Sequence, residues 1–83
     1  MDLMNQLEKY ILTELYDDES KNSISKDDDL ISQGIIDSLG IMKLTDHLQK
    51  TYGITVLDDD IIPENFQTLD NLNKFVQMKL ENK

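Results

Sequence analysis

The stretch Gly34-Ile35-Ile36-Asp37-Ser38-Leu39-Gly40-Ile41-Met42-Lys43-Leu44-Thr45-Asp46-His47-Leu48-Gln49-Lys50-Thr51-Tyr52-Gly53 decides the fold. Gly34 tolerates backbone conformations that other residues resist, so a turn is expected there. Asp37 has the short oxygen-bearing side chain of an N-cap, which puts Ser38 in the first turn of a helix. Gly53 is a typical C-cap residue, so that helix should run over about 38–52. At about 100° per residue, Ile41, Leu44, Leu48 and Tyr52 share one face. Leu39, Lys43, Asp46 and Lys50 fall on the opposite face, with Met42 on its flank.

On the N-terminal side, Leu3, Leu7, Tyr10, Ile11 and Leu15 recur at helical spacing behind Asp2, predicting a helix over about 3–16 with Asp2 as its N-cap. The polar, acidic stretch from Asp17 to Asp29 reads as a long loop. The apolar pair Leu30-Ile31 should pin that loop to the core. On the C-terminal side, Ile54-Thr55-Val56-Leu57 is β-branched but short and without a pairing partner, so it reads as a packed loop. Asp58 to Glu64 allows one short helical turn, over about 60–65. Thr68 is a good N-cap for a last helix over about 69–80, whose apolar stripe is Leu69, Leu72, Phe75, Val76 and Leu80. Phe66 and Phe75 should be core residues, and Tyr10 and Tyr52 should bury their rings with the hydroxyls in water. The fold class that follows is all-α: a small bundle of three main helices plus a short helical turn, with a long first loop, forming a single domain over 1–83.

Eighty-three residues fit one domain with a thin core and leave little chain for a walled catalytic pocket. Eight basic against seventeen acidic residues give a net charge of −9. Such a surface repels phosphate backbones, which argues against nucleic acid, and suits partners with basic patches. There is no cysteine, so the chain itself offers neither disulfides nor a thiol. No apolar run reaches the roughly 20 residues of a membrane helix. Met1-Asp2-Leu3 lacks the features of a signal peptide, so a cytoplasmic location is expected; the chain is also expected to be a monomer.

The chemistry concentrates at Asp37-Ser38-Leu39. A hydroxyl in the first turn of a helix faces unpaired backbone N–H groups and the positive end of the helix dipole. A phosphodiester attached there would be stabilised by both. Taken alone, Asp-Ser also opens many helices purely as a cap. Leu39 and Met42, apolar on an outward flank beside Ser38, read as a docking patch. Other chemistry fails on spacing. The acidic runs Asp27-Asp28-Asp29 and Asp58-Asp59-Asp60 do not fit an EF-hand in any register, and one histidine without cysteine makes no zinc site. No metal is expected. His47 reads as a solvent-facing helix residue, nine positions or about 13 Å beyond Ser38 and too far to activate it. Ile36 stands where a hydrolase elbow needs glycine. Gly40, in a first helical turn, is explained equally by close approach of a partner or by simple tolerance.

The run Gly34-Ile35-Ile36-Asp37-Ser38-Leu39 resembles the Asp-Ser-Leu signature of the acyl carrier and peptidyl carrier protein family. The long loop with Leu30, and the stretch Ile54 to Thr68 with Glu64-Asn65-Phe66-Gln67-Thr68-Leu69, resemble the family as well, so the likeness covers nearly the whole chain. It implies that Ser38 bears covalent 4′-phosphopantetheine, attached from coenzyme A by a phosphopantetheinyl transferase. It also implies that the arm supplies the thiol that the sequence lacks, holding an acyl or aminoacyl group as a thioester, and that the chain is a carrier and not an enzyme. Gly34 and Asp37 would support the motif, and Leu39, Met42, Lys43 and Asp46 would contact partners. Two residues lie between Gly34 and Asp37, where fatty-acid-synthesis carriers usually have one. The outer face of helix two mixes Lys43, Asp46, His47 and Lys50, where those carriers usually present glutamates. The resemblance is therefore to stand-alone specialised carriers loaded by an adenylating ligase and emptied by downstream acyl-using enzymes. A fatty-acid-synthesis acyl carrier and an unmodified acidic helical interaction module are the alternatives.

Overall fold

A computed structural model describes residues 2–16 and 23–82. The start of the expected first loop, 17–22, and the terminal Lys83 lie outside the described residues. The elements are α1 (Leu3–Tyr10), which continues as a π-helical turn (Ile11–Leu15), then α2 (Ser38–Tyr52), a 3-10 turn (Asp58–Asp60), α3 (Pro63–Phe66) and α4 (Leu69–Glu81). The fold is the expected all-α bundle of three main helices. No described helix is long and apolar enough to cross a membrane.

Each main helix starts at the anticipated cap. Asp2 accepts from the Met4 N–H at 3.2 Å, Asp37 from the Gly40 N–H at 2.7 Å and Thr68 from the Asn71 N–H at 3.0 Å. Each satisfies a donor that the first helical turn leaves orphaned. Gly53 closes α2 in the left-handed conformation at φ 68°, its N–H bonded to the Gln49 carbonyl.

Two expected elements are altered. The first helix widens at Ile11, where the Thr13 hydroxyl donates to the Lys9 carbonyl at 2.8 Å and the Tyr16 N–H reaches back to Ile11. Such back-bonding competes with the regular helical ladder and bends it. The single turn expected over 60–65 is two pieces, broken at Ile61-Ile62. The Asp60 carboxylate accepts from the Leu57 N–H at 2.9 Å and ends the first piece, and Pro63 opens α3 at a position where its missing N–H costs nothing.

The core is built from Leu7, Ile11, Leu44, Leu48, Leu69, Leu72, Phe75 and Val76 of the main helices, with Phe66 from α3. The connections add Ile24, Leu30, Ile35, Ile36 and Ile54. Two of the assigned apolar positions are not core: Ile31 and Leu80 are exposed. Of the pair Leu30-Ile31 only Leu30 pins the loop, because the turn that buries its side chain leaves its neighbour exposed. Leu80 sits in the last turn of α4, beyond the packed part of the bundle. The loop before α2 is also held by polar contacts. The Ile24 N–H donates to Glu8 Oε2 at 2.7 Å, the Asp70 N–H to the Lys26 carbonyl at 3.2 Å, and the Leu30 N–H to the Gln67 carbonyl at 2.7 Å.

Candidate functional site at the start of the second helix

The site is a turn that delivers a cap. Gly34 has φ 72°, the left-handed region that favours glycine, and its N–H donates to the Ile31 carbonyl at 3.1 Å. A Cβ there would meet no atom within 4 Å, so the requirement is conformational and not one of space. The Leu30 carbonyl accepts from both the Ile35 and Ile36 N–H groups, at 2.9 and 3.0 Å. Both isoleucine side chains are buried. They form a wedge immediately ahead of Asp37, fixing the height at which α2 begins. The sequence reading missed that wedge. Its signal was available: Ile36 and Ile41 flank the cap at the positions of a hydrophobic staple.

Asp37 is extended, and its carboxylate turns inward to the Gly40 N–H. Its carbonyl accepts the first intrahelical bond, from the Ile41 N–H at 2.9 Å. The N–H groups of Ser38 and Leu39 therefore stand ahead of the helical ladder with no acceptor inside it. Ser38 is exposed in this first turn. Gly40 is explained by this local geometry. An added Cβ would lie 3.3 Å from Asp37 Oδ1 and 3.3 Å from Ile36 Cγ2, so the cap and the wedge would have to give by a few tenths of an ångström to admit a side chain.

The remaining predicted residues divide. Leu39 and Met42 are 59% and 67% exposed, side by side with Ser38 on the outward face. Met42 is thus a surface residue. Lys43 and Asp46 are also exposed, but further along α2, and Asp46 forms an ion pair with Lys50 at 3.0 Å. His47 is not the free surface residue expected. Its ring stacks on Tyr10 with centroids 3.7 Å apart and an angle of 11° between planes, and Nδ1 lies 3.2 Å from the Thr51 hydroxyl. Burial pulls its pKa below the ordinary value, against the opposing pull of Asp46 and Glu14. The tyrosine hydroxyls are engaged: Tyr10 donates to the Lys43 carbonyl at 3.3 Å and Tyr52 to Gln6 Oε1 at 2.9 Å.

The acidic runs serve turns. Asp28 accepts from the Ser25 N–H. Asp29 accepts from the Ile31 and Ser32 N–H groups and from the Gln67 amide, and these bonds, the Ser32 backbone first, hold its pKa down at about 2. Asp60 binds Lys79 at 2.7 Å as well as the Leu57 N–H, and both lower its pKa, the lysine most. Among the described residues no group of three or more His, Asp or Glu side chains converges on a metal position.

An exposed Ser38 in the first turn, beside backbone N–H groups with no acceptor inside the helix, fits a covalently attached phosphate. The family comparison agrees with that chemistry. The family described as the phosphopantetheine attachment site matches residues 5–77, and the chain belongs to it. A comparison with curated proteins returned no match. The class is that of carrier proteins bearing covalent 4′-phosphopantetheine, which are not themselves catalysts. Domains of this class work with phosphopantetheinyl transferases and with acyl-using enzymes.

Proposed function

We propose that Ser38 is the attachment residue, and that the chain is a specialised carrier loaded by an adenylating ligase. The observation that carries the first part is the exposed Ser38 hydroxyl in the first turn of α2, directly behind the Asp37 cap. Asp37 commits its carboxylate to the Gly40 N–H and so caps the turn that carries Ser38. Gly34 and the Ile35-Ile36 wedge fix where the turn lies. Leu39 and Met42 give an approaching enzyme apolar surface beside the hydroxyl. When bound, the prosthetic arm supplies the thiol on which an acyl or aminoacyl group is held as a thioester. The domain raises the effective concentration of that group at each partner's active site. Support for a specialised pathway comes from α2, whose outer face carries Lys43 and a mutually neutralised Asp46–Lys50 pair in place of a row of acids.

The test is conversion by a broad-specificity phosphopantetheinyl transferase with coenzyme A, followed by intact mass. The wild type gains one phosphopantetheine and Ser38→Ala gains none. Thioester formation on the converted protein is then screened with adenylating ligases for amino acids and for fatty acids. A chain that accepts only fatty-acid-synthesis partners contradicts the specialised assignment.

A further inference from the structure

We infer that the segment from Leu57 to Glu64, and not the outer face of α2, supplies the charged half of the surface on which a phosphopantetheinyl transferase docks. The inference rests on the assignment of Ser38 as the attachment residue.

Any enzyme that reaches Ser38 must meet Leu39 and Met42, so apolar contact on α2 is built in. The α2 face offers it no net acidity. Over 38–52 the charged residues are Lys43, Asp46 and Lys50, and the last two are joined to each other. The connection after α2 has the opposite character. Leu57, Ile61 and Ile62 are exposed at 55%, 39% and 41%. Asp58, Asp59 and Glu64 stand exposed among them, and none makes an ion pair among the described residues. Large apolar side chains interleaved with carboxylates in water fit a partner face with an apolar socket rimmed by lysine or arginine.

The segment is also held in place. The Val56 N–H donates to Gln49 Oε1 of α2 at 3.0 Å. Asp60 anchors the middle through Lys79 of α4, whose ammonium lies 5.8 Å from the centre of the Phe75 ring. The Asn65 amide donates to the Asp60 carbonyl at 2.7 Å, and the Gln67 carbonyl accepts from Leu30 in the turn that leads to Ser38. The chain thus runs back from the C-terminal half of α2 towards the end where Ser38 lies. A pre-ordered segment gives up little entropy on docking. Other acids are committed elsewhere: Asp28 and Asp29 accept local backbone N–H groups, and Asp70 pairs with Lys74 at 3.1 Å.

The experiment measures kcat and KM for the carrier as substrate of a broad-specificity phosphopantetheinyl transferase, with coenzyme A saturating. The charge-reversal variant Asp58→Lys/Asp59→Lys/Glu64→Lys raises KM about tenfold with little change in kcat, because rim charges act mainly on encounter. Added salt raises KM of the wild type and not of the variant. Leu57→Ser/Ile61→Ser raises KM in the same way, and Lys43→Glu does not raise it. Circular dichroism confirms that each variant is folded. An unchanged KM in the charge-reversal variant, or a KM governed by Lys43, overturns the inference while leaving Ser38 as the attachment residue. A wild-type chain that is never modified overturns the assignment of Ser38 itself and the inference with it.

Discussion

Asp37 does two things at the head of α2: its carboxylate satisfies the Gly40 N–H, and its extended backbone turns the chain from the isoleucine wedge into the helix. Asp37→Ala should therefore cost about 0.5–2 kcal/mol, read as a shift in the urea midpoint. Gly40 makes a sharper case. Replacing a helical glycine by alanine ordinarily gains up to about 1 kcal/mol. Here the new methyl would press on Asp37 Oδ1, which is fixed by Gly40's own N–H, and on the buried Ile36. Gly40→Ala is expected to lower the melting temperature; a rise would contradict this packing. The caps, the glycine turn and the candidate serine were legible because each depends on a residue type and its immediate neighbours. The reason for Gly40 was not, because it depends on the direction in which the Asp37 carboxylate turns.

At the scale of elements, the contact between α1 and α2 is partly aromatic and titratable. His47 is packed on Tyr10, with Glu14 near it from the first helix and Asp46, Thr51 and Tyr52 from α2. Burial favours the neutral imidazole in the folded chain. The unfolded chain therefore takes up the proton first as pH falls through 6.5, and stability declines below that value. Urea midpoints between about pH 7.5 and 5.5 should fall in the wild type and stay level in His47→Phe, which keeps the stack and removes the titration. Asp29 acts at lower pH. Its folded-state pKa of about 2 lies below the ordinary 3.8, so its contribution is complete above that ordinary value and is lost as pH falls towards 2. Asp29→Ala should flatten the acid limb of the curve over that window. A histidine on a polar helix face carries no sequence sign that a tyrosine 37 positions earlier will cover it. The break at Ile61-Ile62 was likewise hidden, since Asp60 ends one turn by bonding Leu57 and Lys79, the latter a distant residue. The periodicity of the three long helices was readable because their apolar faces repeat at helical spacing.

For the whole molecule, one thin core serves three helices and their connections, with Leu44, Leu72 and Phe66 among its fully buried side chains. Leu44→Ala removes packing worth about 2–5 kcal/mol, against a total of roughly 4–12 kcal/mol for a domain of this length. A clear drop in the urea midpoint and melting temperature is expected, and a variant as stable as the wild type would show that the core is not the limiting element. What the fold leaves outside that core is an exposed hydroxyl with a capped helix behind it. The most direct test is to treat the protein with coenzyme A and a broad-specificity transferase, digest it with trypsin, and map the modified peptide. Cleavage after Lys26 and Lys43 releases a peptide containing two serines, Ser32 and Ser38. Phosphopantetheine on Ser38 alone is the predicted result; its appearance on Ser32, on another peptide or nowhere would contradict the account.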